Sequence, residues 1–175
     1  PALRKALDRI VARHETLRTR IVASAGQPQQ EVLPADTGFA LRHSDLSALD
    51  DPASRVRQLC ADERQTTFAP GAALVRGHLL RLAPQRHVLL ITLHHLVCDG
   101  WSMGVLIEEL GTLYSAYARQ EHDPLPPLAL QYADVAVWQR RWLEGDVLQR
   151  QLDYWRERLH DAPRLLALPT DHTRP

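Results

Sequence analysis

The chain has 175 residues, 45% of them hydrophobic and 24% charged, enough to bury one ordinary core and unlike the composition of a disordered segment. Its 21 basic residues balance 21 acidic ones, which leaves no electrostatic basis for binding nucleic acid or an anionic membrane. No apolar run approaches a membrane span, no signal peptide opens the chain, and Cys60 and Cys98 stand in no metal-like spacing, so a reducing, cytoplasmic setting is expected.

Leu3, Leu7, Ile10, Val11 and His14 recur at helical spacing and predict an amphipathic helix at the start of the chain. It should pass directly into a half-buried strand over residues 17–22, where polar and apolar residues alternate. Ala25-Gly26-Gln27-Pro28 reads as a turn, with a second strand over 30–33 and a third over 39–43. Asp50-Asp51-Pro52 supplies a cap and an early proline for a helix with Val56, Leu59, Cys60 and Phe68 inward, ended by Pro70-Gly71.

Residues 74–82 and 87–94 form a predicted hairpin joined by Ala83-Pro84-Gln85-Arg86. The run Val88-Leu89-Leu90-Ile91-Thr92-Leu93 is apolar at both parities, as in a central strand covered on both faces. After Ser102 a helix is expected with Met103, Leu106, Ile107, Leu110, Leu113, Tyr114 and Tyr117 on one stripe. Gly104 and Gly111 each weaken it by about 1 kcal/mol relative to alanine, which suggests close backbone packing there. An extended connector, Asp123-Pro124-Leu125-Pro126-Pro127, leads to helices over 134–143 and 146–159, the second buried along Leu148, Leu152, Trp155 and Leu159. The strip from residue 163 to 175 reads as the start of a linker, and the chain as a whole looks cut from something larger.

The element order predicts an α/β layer on a mixed or antiparallel sheet. A β-α-β rhythm, a Gly-rich phosphate loop and a Gly-x-Ser-x-Gly elbow are all missing, which argues against nucleotide binding and a serine nucleophile. Chemistry concentrates instead in His94-His95-Leu96-Val97-Cys98-Asp99-Gly100-Trp101-Ser102, where an apolar strand runs into two histidines and an Asp-Gly step opens a helix. Adjacent strand residues face opposite ways, so one imidazole should be structural and the other should reach a cavity. No second carboxylate or cysteine lies at zinc-ligand spacing, and Ser102 falls where a helix cap is needed.

This stretch resembles the signature of nonribosomal peptide synthetase condensation domains. Arg13-His14-Glu15-Thr16-Leu17-Arg18-Thr19 is similar to the Arg-His-Glu-x-Leu-Arg-Thr motif of that family. Tyr132-Ala133-Asp134-Val135-Ala136-Val137-Trp138 resembles its Tyr-x-Asp-Tyr-Ala-x-Trp motif, with Val135 in place of an aromatic. The ending from Leu168 to Pro175 is similar to the stretch between the two family lobes.

The resemblance implies a chloramphenicol-acetyltransferase-like lobe, one half of a V-shaped pair around a tunnel, with residues 1–175 as the N-terminal lobe. It implies amide formation between a carrier-bound acyl or peptidyl thioester and a carrier-bound aminoacyl acceptor. His95 would be the catalytic residue and His94 the inward structural one. Asp99 would pair with Arg13 or Arg18, Gly100 would allow close backbone approach, and Trp101 would pack near the tunnel floor. Asp134 and Trp138 read as helix cap and core packing, with substrate contact as the alternative. No cofactor or metal would be bound directly; 4'-phosphopantetheine would arrive on upstream donor and downstream acceptor carrier domains. An adenylation domain and the second lobe would be the other partners, and the isolated segment would be inactive. Epimerization domains usually continue with Val-Ser-Trp-Arg, where Trp101-Ser102-Met103-Gly104 stands here, and cyclization domains replace the histidines with aspartate. A free-standing acyltransferase and a non-catalytic recruitment domain are the remaining alternatives.

Overall fold

A computed structural model describes residues 1–163, 169, 171 and 172 of the chain. The linker expected over 163–175 lies almost entirely outside these residues. Two compact units are present, Pro1–Tyr132 and Ala133–Pro175.

The first unit begins with helix α1, Ala2–Arg13, as the apolar spacing predicts. Its stripe of Ala6, Leu7, Ile10 and Val11 is fully buried. The strand expected to follow at once is delayed by a 3-10 turn, Glu15–Arg18, so that strand β1 is Thr19–Ser24. Long-range contacts override the local alternation: the Glu15 amide donates to Gln131 Oε1 at 3.1 Å, and the Thr19 hydroxyl closes the turn on the Glu15 carbonyl at 2.7 Å. β1 pairs antiparallel with β2, Gln27–Val32, through a two-residue loop at Ala25 and Gly26. Both loop residues have positive φ, 50° and 76°, the geometry that matches strand twist, so the expected four-residue turn gives two of its residues to β2.

A second sheet has the order β3-β4-β5, with β3 Leu41–Asp45, β4 Val75–Ala83 and β5 Arg86–Leu93. β3 and β4 run parallel, β4 and β5 antiparallel, so the sheet is mixed. Among the described residues β4 is central and β5 lies at an edge, which reverses the reading of β5 as a central strand. An apolar run reports covered faces; it carries no information about how many ladder partners a strand has. Leu41, Val75, Ile91 and Leu93 share one face and pack with α1. On the opposite face Arg76 meets Glu63 of helix α2, Pro52–Gln65, and Arg42 reaches the same carboxylate at 3.0 Å. Asp51 caps α2 by accepting from the Ser54 amide at 2.9 Å, with Pro52 at the first helical position. That helix ends at Gln65, five residues before the expected Pro70-Gly71 stop.

Gly77 marks the tightest contact in this sheet. A Cβ there would lie 2.6 Å from Phe39 Cε1 and 3.2 Å from the Leu90 carbonyl oxygen. Gly77→Ala is therefore expected to destabilise the unit by about 1–3 kcal/mol, the usual cost of overpacking, as read by a urea midpoint. An unchanged midpoint would show that Phe39 moves away freely.

Helix α3, Gly100–Ala118, lies against α1 and closes the same core with Leu106, Leu110, Leu113 and Tyr117. Ile107 and Tyr114, expected on that stripe, are exposed. Among the described residues nothing lies within 4 Å of a Cβ built on Gly104 or Gly111, so the close packing expected at these glycines is not found among them.

The connector after α3 is tied to α1 by three polar contacts. Arg9 pairs with Asp123, Arg13 Nη1 donates to the Pro126 carbonyl, and Gln131 Nε2 donates to the Arg13 carbonyl at 3.0 Å.

Helix α4 spans Tyr132–Trp142, with all but its first residue in the second unit, and α5 spans Gly145–Arg158. Both helices match expectation within two residues. Their burial does not: Trp138, Leu148, Leu152, Trp155 and Leu159 are all at least 40% exposed. Trp138 stacks on Trp142 with ring centroids 5.9 Å apart instead of entering a core. Asp134 lies inside the first turn of α4, past the position of a cap. A helical stripe specifies which side can be buried, and burial also needs an opposing surface.

Candidate functional site

β5 delivers the chain to its chemistry. Its last residue is Leu93, and His94 continues the ladder by donating from its amide to the Leu74 carbonyl at 2.9 Å. The backbone then turns, closed by Val97 N–H on the His94 carbonyl at 3.0 Å. His94 Nδ1 accepts from the Leu96 amide at 3.1 Å, so the His94 ring braces the turn that carries His95. An unprotonated Nδ1 is required for this bond, which places the proton of the neutral ring on Nε2. Behind it, the His94 ring meets the Phe68 ring edge-on at 5.5 Å, and the Arg76 guanidinium sits over the Phe68 ring at 4.1 Å. Phe68 and Arg76 thus support the loop, a role that the sequence did not reveal.

His95 faces the other way. It is exposed and lines a cavity of about 320 Å³ together with His14, Leu17, Val97, Trp101, Leu106 and Tyr132. Among the described residues His95 has no side-chain hydrogen bond. The separation of the two imidazoles therefore follows the strand argument, with one ring bracing the loop and the other at a cavity.

Asp99 departs from expectation. It is the N-cap of α3: its Oδ1 accepts the Ser102 amide at 2.8 Å and the Ser102 hydroxyl at 2.6 Å. The Ser102 hydroxyl oxygen in turn accepts the Asp99 amide at 3.3 Å, which completes a capping box. Ser102 is thus the third residue of the helix and Asp99 the cap. The pairing of Asp99 with Arg13 or Arg18 is not made; Arg13 is engaged by Glu109, and Arg18 by the Leu33 carbonyl and Glu15. A local cap forms within four residues of chain, whereas an ion pair with α1 would have to pull the carboxylate away from two hydrogen bonds. Gly100 is the first residue of the helix, and among the described residues nothing lies within 4 Å of a Cβ built on it. Trp101 is 85% exposed at the cavity rim and does not pack on a floor.

The Ser102 bonds hold the Asp99 carboxyl below the usual aspartate range. A depressed folded value means that the cap contributes above the unfolded value and is lost as pH falls through the folded one. The Ser102 amide should accordingly lose protection from hydrogen exchange only at pH below the ordinary aspartate range. Loss near neutrality would show that the cap is not what holds this helix start. Nearby, burial and the Asp99 charge push the Cys98 thiol up, so it is not an activated nucleophile.

Glu109 of α3 is the charged residue that sequence reasoning missed. It accepts from Arg13 Nε at 3.1 Å and lies 2.6 Å from His14 Nε2. The Arg13 and Glu109 side chains are only 6% and 14% exposed. His14 was visible as part of the Arg13-His14-Glu15 motif, but nothing in its local spacing pointed to a partner 95 residues away.

A family model described as the condensation domain matches residues 1–175. The chain belongs to the condensation domain family. It is 44% identical over 175 residues to malpibaldin synthetase of Mortierella alpina, covering 99% of this chain and 3% of that protein. One of the linear gramicidin synthase proteins of Brevibacillus parabrevis is 43% identical over 177 residues, with 99% of this chain and 2% of that protein covered. Among solved structures, the epimerization domain from the third module of tyrocidine synthetase B superposes with a TM-score of 0.85 at 26% identity, covering 98% of this chain and 39% of that one. The chain thus spans a small fraction of the synthetases and well under half of the epimerization-domain structure. The α/β architecture expected of a condensation domain is the one observed.

Proposed function

We propose that the protein of which this chain is part joins a carrier-bound acyl or peptidyl thioester to the amine of a carrier-bound aminoacyl acceptor. The observation that carries this reading is the placement of His95 in a largely apolar cavity, on a loop braced by His94 and Phe68. Sequence relationship to a phosphinothricin tripeptide synthetase, 42% identical over 177 residues, supports the reaction class.

In this reading the acceptor nitrogen attacks the thioester carbonyl carbon, a C–N bond forms and the C–S bond breaks. His95 takes the proton from the attacking nitrogen and returns it to the leaving sulfur. Such general base assistance contributes about 10²–10⁴-fold. Thioesters are already activated, and holding both reactants in attack geometry supplies about 7–11 kcal/mol more. The rest of the reading follows from it. Residues 1–175 serve as the N-terminal lobe, with residues from 163 onward leading toward a second lobe that completes the tunnel. The 4'-phosphopantetheine arms belong to donor and acceptor carrier domains, an adenylation domain stands nearby, and the assembly works in the cytoplasm. His95 is the catalytic residue, and His94, Asp99, Gly100, Trp101, Arg13 and Arg18 shape the loop, helix start and turn around it.

The test is reconstitution of the full-length protein with an acyl-loaded donor carrier and an aminoacyl-loaded acceptor carrier, followed by mass spectrometry of the acceptor. Transfer of the acyl group to the acceptor amine is expected, and the 175-residue segment alone should give none. Acyl transfer to water or to an alcohol in place of the amine would overturn the reading.

A further inference from the structure

The cavity holds a second imidazole with a better defined orientation than that of His95. His14 enters from the end of α1, and its Nε2 lies 2.6 Å from Glu109 Oε2. Glu109 also accepts from the Arg13 guanidinium, with Arg13 Nε at 3.1 Å from Oε1 and 3.2 Å from Oε2. A carboxylate receiving a guanidinium bond is the ionised, acceptor-only form, so the hydrogen between Glu109 and His14 belongs to Nε2. In the neutral ring this leaves the lone pair on Nδ1. Among the described residues Nδ1 has no hydrogen-bond partner.

Of the other polar residues lining the cavity, Asp99, Ser102 and Cys98 are committed, and Thr16, Tyr132 and His95 complete the polar set. Asp99 and Ser102 bond to each other in the capping box, and the Cys98 sulfur contacts the His94 carbonyl at 3.8 Å. His14 lines this largely apolar cavity with its ring oriented by the Nε2–Glu109 contact, which distinguishes its Nδ1 from the unanchored His95 imidazole. The backbone beneath it is fixed on both sides by Gln131, which bonds the Arg13 carbonyl and the Glu15 amide.

The geometry points to His14 as a positioning residue for the acceptor: Nδ1 accepts a hydrogen bond from the acceptor amine and so aims that nitrogen at the thioester, while Glu109 fixes the ring. This rests on the amide-forming reading above and deepens it. The ligand class is a primary amine on an aminoacyl pantetheine arm. No proton leaves the substrate through His14; its part is direction, and proton removal stays with His95.

The test is calorimetric binding of two probes to the full-length protein, alanyl pantetheine amide and its desamino counterpart, propionyl pantetheine amide. The unsubstituted protein is expected to bind the amine-bearing probe about 10-fold or more tightly than the desamino one, the worth of one well-placed hydrogen bond. In His14→Ala this preference should collapse toward unity with the affinity for the desamino probe little changed. His14→Asn, whose amide oxygen can stand near the place of Nδ1, should recover part of it, a rescue that a merely structural role would not produce. A preference that persists in both variants overturns the inference and leaves the amide-forming reading standing. Failure of the unsubstituted protein to bind either probe overturns both.

Discussion

Replacing Glu109 with alanine is expected to cost about 3–5 kcal/mol of stability, the usual result of removing one member of a buried ion pair. The Arg13 side chain is 6% exposed, and Glu109 supplies its anionic partner. Without the carboxylate, the guanidinium keeps the Pro126 carbonyl and little else. The damage should spread, because the same group orients His14, and Arg13 ties the connector to α1. Urea unfolding followed by circular dichroism measures the loss, and limited proteolysis near residue 126 reports release of the connector. Glu109→Gln keeps an oxygen acceptor and should lose less. A change below about 1 kcal/mol in the alanine variant would mean that Arg13 finds water or another acceptor, and that the pair is not a support of the cavity.

His95→Ala should slow the proposed amide formation by about 10²–10⁴-fold in the full-length protein, with fold stability nearly unchanged. The two halves of this prediction arise from the same placement. The side chain is exposed and has no hydrogen bond to lose among the described residues, so removing it leaves neither a cavity nor an orphaned partner. Its removal does take away the proton acceptor proposed for the attacking amine. Activity should remain above the uncatalysed reaction, since the alignment proposed for two thioester-borne substrates is independent of the imidazole. Single-turnover transfer between loaded carriers separates this step from carrier docking. Full activity in His95→Ala would remove the imidazole from the mechanism and leave alignment as the whole of catalysis.

The parts of the structure legible in the sequence are those encoded within a few neighbouring residues. The Leu7, Ile10 and Val11 spacing specified α1, Asp51-Pro52 specified the start of α2, and two β-rich runs around Pro84-Gln85 specified the β4–β5 hairpin. The opposite placement of His94 and His95 followed from alternation alone. Features set by distant partners were not legible. The edge position of β5 depends on which strands pair with β4, and the apolar run in β5 is blind to that. Arg13 or Arg18 was expected to meet Asp99, and they meet Glu109 and Glu15 instead, because an arginine specifies only that an acid must be near. Asp99 was satisfied by its own helix first. The 3-10 turn at Glu15–Arg18 likewise required Gln131, more than a hundred residues further along the chain.

The connector over 123–131 looks like a spacer, with three prolines and no regular structure. Spacers ordinarily tolerate insertion and deletion. This one is pinned at Asp123, Pro126 and Gln131 to successive turns of one helix and its end, and Tyr132 at the cavity follows directly. Its length is therefore a measured dimension. One residue added between the third pin, Gln131, and Tyr132 would push Tyr132 out of register with His14, and the site would lose a wall through a change that alters none of its lining residues.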